Sequence, residues 1–214
     1  FALPVLDADG VLLGIVTADD ILDVAEEEAT EDFHKLATVS PLQMNFKEAS
    51  LGLLYRKRIG WLAGLVVMST FTGLGIKLFE DAISAVVALV FFLPLLINSS
   101  GNAGSQAATL IVRAMATGDI HHGDWCKLFW REVGVSAAMG LTLALISFFL
   151  AWAMGGLQVA LVVSLSMFAV VLVGNLTGTI LPVILDKLEF DPATASTPLI
   201  TTIADVLGVL IYLS

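Results

Sequence analysis

From Ile59 onward the chain is built from apolar stretches too long for the core of a soluble domain, and that feature decides what solvent it folds in. Residues 59–79 carry a single charge, Lys77. At about 1.5 Å of rise per residue, a helix of that length crosses a hydrocarbon layer about 30 Å thick. Comparable runs follow at 82–112, 133–154, 157–185 and 197–214. Only 14% of the residues are charged and 57% are hydrophobic, with mean hydropathy +0.92. A soluble domain carries about 25% charged residues. The expected fold is therefore an all-α polytopic membrane protein with five transmembrane helices.

The second run is unusual. It stays apolar to Ile97, passes through Asn98-Ser-Ser-Gly-Asn-Ala-Gly-Ser-Gln106, and turns apolar again to Val112. Its polar patch must face protein or water, because lipid satisfies no hydrogen bonds. Basic residues set the orientation, since cytosolic loops retain them. With Arg56-Lys57-Arg58 inside, Arg113, Lys127, Arg131 and Lys187 are inside as well, and Lys77 is the one basic residue outside. The N-terminus is then cytosolic and the C-terminus extracytosolic, in a multi-pass protein of the cell (inner or plasma) membrane.

Charge is concentrated at the other end. Asp7, Asp9, Asp19, Asp20, Asp23, Glu26, Glu27, Glu28, Glu31 and Asp32 all precede the first basic residue, Lys35, and the remainder of the chain is close to neutral. Such a block attracts cations and repels nucleic acid and anionic headgroups, so no nucleic-acid partner is expected. Residues 1–23 read as a small α/β piece: strands at Ala2–Leu6 and Val11–Val16 around an Asp7–Gly10 turn, then a helix capped by Thr17 and Asp20. Two strands and one helix bury no core, so this reads as the tail of a truncated domain. Residues 24–55 continue as polar helix broken near Ser40-Pro41, and 56–214 form the membrane domain.

Asp205 is the strongest chemical signal. It lies midway along the last span, which holds no Lys or Arg, and a carboxylate there costs about 2.5–3.5 kcal/mol unless it meets water or a cation. Thr201 and Gly208 share its helical face. The alternative is a protonated aspartic acid hydrogen-bonded to a neighbouring helix. Asn98, Asn102, Ser105 and Thr109 form a second stripe, of neutral oxygen donors, and Gly101 and Gly104 would let the helix open its carbonyls. The competing reading is ordinary small-residue packing, which is also the better account of Gly174-Asn175-Leu-Thr177-Gly178. An all-oxygen set suits hard cations such as Mg2+, recognised through its waters, and disfavours zinc or copper. His121-His122 lack helical spacing and Cys126 stands alone, so neither suggests a metal site. Trp61, Trp125 and Trp130 read as interfacial anchors. No nucleophile-base pair or phosphate loop is present, so no catalytic residues are assigned and no enzyme is expected.

The segments Leu93–Gln106 and Thr197–Asp205 resemble the MgtE family of magnesium channels. Leu3-Pro-Val-Leu-Asp7, Gly14-Ile-Val-Thr17 and Asp19-Asp20 are similar to the end of a CBS domain, and Ala25–Asp32 to the acidic linker that follows it in that family. The resemblance implies a homodimer in membrane lipid with a pore at its interface, lined by the second and fifth spans. Asp205 would be the principal ion-recognising carboxylate, with Gly101, Asn102, Ser105 and Thr201 contributing. Ser105 stands where Asn is common in the family. The resemblance further implies that Asp20, Asp23, Glu28, Glu31, Asp32 and Asp191 bind regulatory Mg2+, that residues 36–55 act as a connecting or plug helix, and that ATP binds only where the CBS pair is complete. Passive Mg2+ entry is the expected activity. The alternative is proton- or sodium-coupled divalent-cation transport with Asp205 as carrier, and a receptor or scaffold anchored by its membrane part is a third class.

Overall fold

The computed structural model describes residues 2–39, 47–120 and 123–214. It is predominantly helical, with one small sheet at the start. Strands β1 (Ala2–Leu6) and β2 (Leu12–Thr17) pair antiparallel, Ala2 opposite Thr17, with an irregularity between Val5 and Leu6. Asp7 Oδ1 organises the turn by accepting the N–H groups of Asp9 and Val11, the local side-chain bonding that makes Asp a turn residue. Helix α1 (Ala18–Leu36) starts as its sequence indicates. The Asp20 carboxylate accepts both the Thr17 N–H, at 2.7 Å, and the Thr17 hydroxyl, at 2.6 Å. Asp19 and Asp20 in its first turn and Lys35 in its last complement the helix dipole. No residue of α1 is buried, so little packing holds it against the membrane domain.

The break expected at Ser40-Pro41 lies outside the described residues. Helix resumes at α2 (Leu51–Leu78), capped by Ser50, whose hydroxyl accepts the Leu53 N–H. This helix begins upstream of Ile59, so Arg56, Lys57 and Arg58 belong to its first turns. Gly75, beside Val209, is its one buried residue. An apolar helix exposed nearly all round is suited to lipid, and two of its hydroxyls bond within the helix, Ser69 to the Leu65 carbonyl and Thr70 to that of Val67, while the Thr72 hydroxyl is enclosed without a partner among the described residues.

Next come the short α3 (Glu80–Ala85), a 3-10 stretch (Val87–Phe92) and α4 (Leu93–Ala116), with Pro94 in its first turn, where a missing N–H is harmless. The opening of the helix at Gly101 and Gly104 does not occur. α4 runs through the polar patch unbroken, and its irregular backbone lies upstream in the 3-10 stretch. Helix α5 (Trp125–Lys187) is two arms joined at Gly156, whose φ of 79° needs a residue without Cβ. The arms fold back on each other, with Gly140 against Phe168 and Ser136 against Asn175. A 3-10 turn (Pro192–Thr194) leads into α6 (Thr197–Leu213). By length and composition, α2, the run Val87–Ala116 and α5 are each able to cross a membrane, and α6 is a shorter apolar helix.

The core forms where α4 is held between α5 and α6. Leu96, Val163, Met167, Val170, Val171, Ile200 and Val209 are almost wholly buried. Small residues permit the approach: a Cβ on Gly104 would lie 2.6 Å from the Gly174 carbonyl oxygen, and one on Gly178 would overlap the backbone of Gly104. The packing reading of Gly174 and Gly178 therefore holds. The Ser100 hydroxyl donates to the Val170 carbonyl at 2.9 Å, and the Tyr212 hydroxyl to that of Leu89 at 2.9 Å.

Candidate ion site

α4 with its 3-10 entry runs antiparallel to α6, Leu89 of the entry lying beside Tyr212 at the end of α6 and Gly101 beside Thr201 near its start. At the crossing, a Cβ on Gly101 would sit 2.9 Å from the Thr201 methyl group, and Ser105 Oγ lies 3.4 Å from Thr201 Oγ1. Gly101, Ser105 and Thr201, chosen from sequence on two separate segments, are thus one cluster. Asp205 follows Thr201 by one turn, about 6 Å along α6, on the side toward Leu89 and level with the first half of α4. Its side chain is half-buried, and Oδ1 is shut off from the surface without a hydrogen-bond partner. A buried acceptor left unpaired costs about 1–3 kcal/mol. Among the described residues, none is hydrogen-bonded to Oδ1, either donating to a carboxylate there or accepting from the protonated acid.

Asn98, Asn102, Gln106 and Thr109 are exposed along the outer face of α4, while Ser100, Gly101, Ala103 and Gly104 face inward. The helix is therefore two-sided. Its small residues pack and its amides form an open polar ridge that lipid cannot satisfy.

The acidic residues of the first segment separate into groups. Glu28 and Asp32 of α1 line a cavity of about 850 Å3 together with Arg113, Trp125, Asp186 and Asp191. Glu31 joins them through Lys35, whose ammonium contacts Glu31 at 2.6 Å and Asp191 at 2.5 Å. Burial works to raise the Asp191 pKa, but the Lys35 hydrogen bond, the Ala193 N–H and the Lys35 charge together hold it below its ordinary value. The same two carboxylates raise that of Lys35. Asp20 is turned back onto Thr17, and neither it nor Asp23 lines the cavity. Among the described residues, no three His, Cys, Asp or Glu side chains converge on a point fit for a metal ion. His121-His122 lie outside the described residues.

Two polar features escaped the reading of the sequence. Glu132, with 13% of its side chain exposed, accepts a hydrogen bond from Asn175 Nδ2 at 3.3 Å, and the same nitrogen donates to Ser136 Oγ at 2.8 Å. This ties the two arms of α5 together. The i, i+4 spacing of Glu132 and Ser136 was a usable signal, but their partner is 43 residues away from Glu132. Likewise Glu31 and Lys35 have helical ion-pair spacing; the resemblance had already grouped Asp191 with Glu31, but not the lysine that ties the two together.

Residues 93–214 match the MgtE family model, described as a divalent cation transporter. Over 212 residues, 99% of the chain, it is 43% identical to the magnesium transporter MgtE of Thermus thermophilus, covering 47% of that protein. It is 38% identical over 215 residues to the magnesium transporter MgtE of Bacillus subtilis and 37% identical over 218 residues to that of Enterococcus faecalis. The chain spans about half the length of the curated relatives it matches.

Proposed function

The chain belongs to the MgtE family of divalent cation transporters, and on that premise we propose that it carries the membrane pathway of a magnesium-selective, passively conducting pore. The observation that carries the reading is Asp205: a half-buried carboxylate with an unpartnered oxygen, in an apolar helix, one turn from the Gly101–Ser105–Thr201 cluster. A hydrated divalent cation supplies both the donors and the charge that this carboxylate lacks. Mg2+ is here the transported substrate. The three relatives are named magnesium transporters, which supports that choice.

The five-span arrangement counts α2, α4 with its 3-10 entry, the two arms of α5, and α6, with the N-terminus cytosolic. The polar ridge at Asn98, Asn102, Gln106 and Thr109 is exposed in one chain, and a second copy would convert it into the wall of a water-filled path. A homodimer pairs two Asp205 carboxylates with one divalent ion. Entry then needs no energy coupling, because two positive charges gain about 4.6 kcal/mol per 100 mV of inside-negative potential.

The cytosolic acids provide the control. Glu28, Asp32 and Asp191 border one cavity, and Glu31 reaches Asp191 through Lys35, so Mg2+ bridging them would draw α1 against the turn that leads into the ion-binding helix. Asp20 and Asp23 would act with segments beyond this chain.

Reconstitution in liposomes tests the pore. Currents should reverse at the magnesium equilibrium potential and ignore proton and sodium gradients. A reversal potential that follows either gradient would replace the pore by a coupled transporter with Asp205 as carrier, and no flux in any state would leave only an anchored receptor.

A further inference from the structure

Lys35 stands one helical turn beyond Glu31, yet its ammonium also reaches out of α1 to the turn before α6. Nζ lies 2.6 Å from Glu31 Oε1 and 2.5 Å from Asp191 Oδ2. The other Asp191 oxygen is committed to the fold, since Oδ1 accepts the Ala193 N–H at 2.8 Å and caps the 3-10 turn. Oδ2 is thus the oxygen that can exchange partners, and Lys35 occupies it. The ammonium sits between two carboxylates, as a bridging metal ion would, beside a cavity that also exposes Glu28, Asp32 and Asp186.

We propose that Lys35 is a built-in counter-ion that competes with divalent cations for Glu31 and Asp191, and so sets the cation concentration at which α1 is bridged to the turn before α6. The inference rests on the reading that these acids sense Mg2+. An ammonium has three donors and one charge, enough to neutralise part of the repulsion between the carboxylates and hold them near each other. Because it is tethered four residues from Glu31, its effective concentration there is high without any free ligand. A divalent ion must expel it before using Asp191 Oδ2. The Lys-bridged and cation-bridged arrangements are then mutually exclusive, and the lysine lowers the apparent cation affinity by the fraction of time it holds the site. Lys35 acts through Glu31 and Asp191, as a positioning residue, and touches no transported ion.

The test measures Mg2+-dependent closure of the intact protein in liposomes, read as flux against internal Mg2+, for the unaltered protein, Lys35→Gln, Lys35→Arg and Lys187→Gln. Lys35→Gln should lower the half-closing Mg2+ concentration about three- to tenfold, the scale of losing two exposed ion pairs. Lys35→Arg restores a cation that spans both acids and should respond like the unaltered protein. Lys187→Gln removes a nearby charge without a contact to Glu31 or Asp191 and should shift the curve less. Closure that is unchanged in Lys35→Gln, or needs more Mg2+, refutes the competition while leaving Mg2+ sensing intact. An unaltered protein that never closes with Mg2+ removes the sensing reading and this inference with it.

Discussion

Replacing Gly178 by alanine should damage the membrane domain far more than its size suggests. A Cβ at that position would fall 2.6 Å from the Gly104 carbonyl carbon and 2.8 Å from its Cα, and overlap the carbonyl oxygen. Ordinary van der Waals contact begins at 3.4 Å, so the carbonyl carbon alone forces α4 and α5 apart by about 0.8 Å at this crossing, and the nearer carbonyl oxygen by more. The obstructing atoms are backbone on both sides, and no rotamer change relieves them. Overpacking costs about 1–3 kcal/mol, and with no escape the upper end applies. In lipid the loss is felt fully, because close packing is what holds such helices together. For a chain of this size, 3 kcal/mol corresponds to a Tm lowered by roughly 6–12 °C. Gly64→Ala is the control: no atom lies within 4 Å of its Cβ, and alanine gains about 1 kcal/mol of helix propensity there. Both variants are to be melted in the same detergent, following retention of monodisperse protein. Gly178→Ala melting within 2 °C of the unaltered protein, or no lower than Gly64→Ala, would refute the close backbone crossing on which the ion site is hung.

Asp205→Asn keeps the volume of the side chain and removes its charge. Hydrogen bonds to charged groups contribute about 1.5–3 kcal/mol, so Mg2+ binding should weaken about 10- to 100-fold with assembly intact, and native uptake would exclude the carboxylate from the pathway. Asn175→Ala leaves Glu132 without its amide donor and should destabilise the α5 hairpin by about 1–3 kcal/mol, with Ser136→Ala milder; equal melting of Asn175→Ala and the unaltered protein would show the Glu132 link to be idle. The Lys35–Asp191 tether should be insensitive to pH across the physiological range. Lys35, raised above 10.5, contributes fully below that pH and loses its part only as pH climbs through its higher folded value. Asp191, lowered below 3.8, contributes above that pH and loses its part only as pH falls through its lower folded value. Acylation of Lys35 by an amine-directed reagent should therefore stay slower than that of exposed Lys187 from pH 5 to 9, and equal rates would argue against the tether.

Periodicity and charge made much of this molecule legible in advance. The apolar runs required helices, since a lipid-exposed backbone must close its hydrogen bonds within each segment. The β-hairpin, the Thr17–Asp20 cap and the isolation of Asp205 followed from local chemistry that needs no distant partner. Gly101 and Gly104 show where that reasoning ended. Their small size was visible, but opening the helix and packing it closely ask for the same residue, and the approach of Thr201, Ile200 and Gly174 selected packing. Asn98 and Asn102 and their neighbour Ser100 are equally polar in one dimension, yet the first two are exposed and the third is buried against Val170. Pairings across long separations were decided by tertiary structure alone: Ser105 with Thr201, Glu132 with Asn175, and Lys35 with Asp191. The physical reason is range. Helix formation and capping act over about four residues, whereas the partner of a polar side chain depends on which helices lie side by side, and that is settled by the packing of the whole domain.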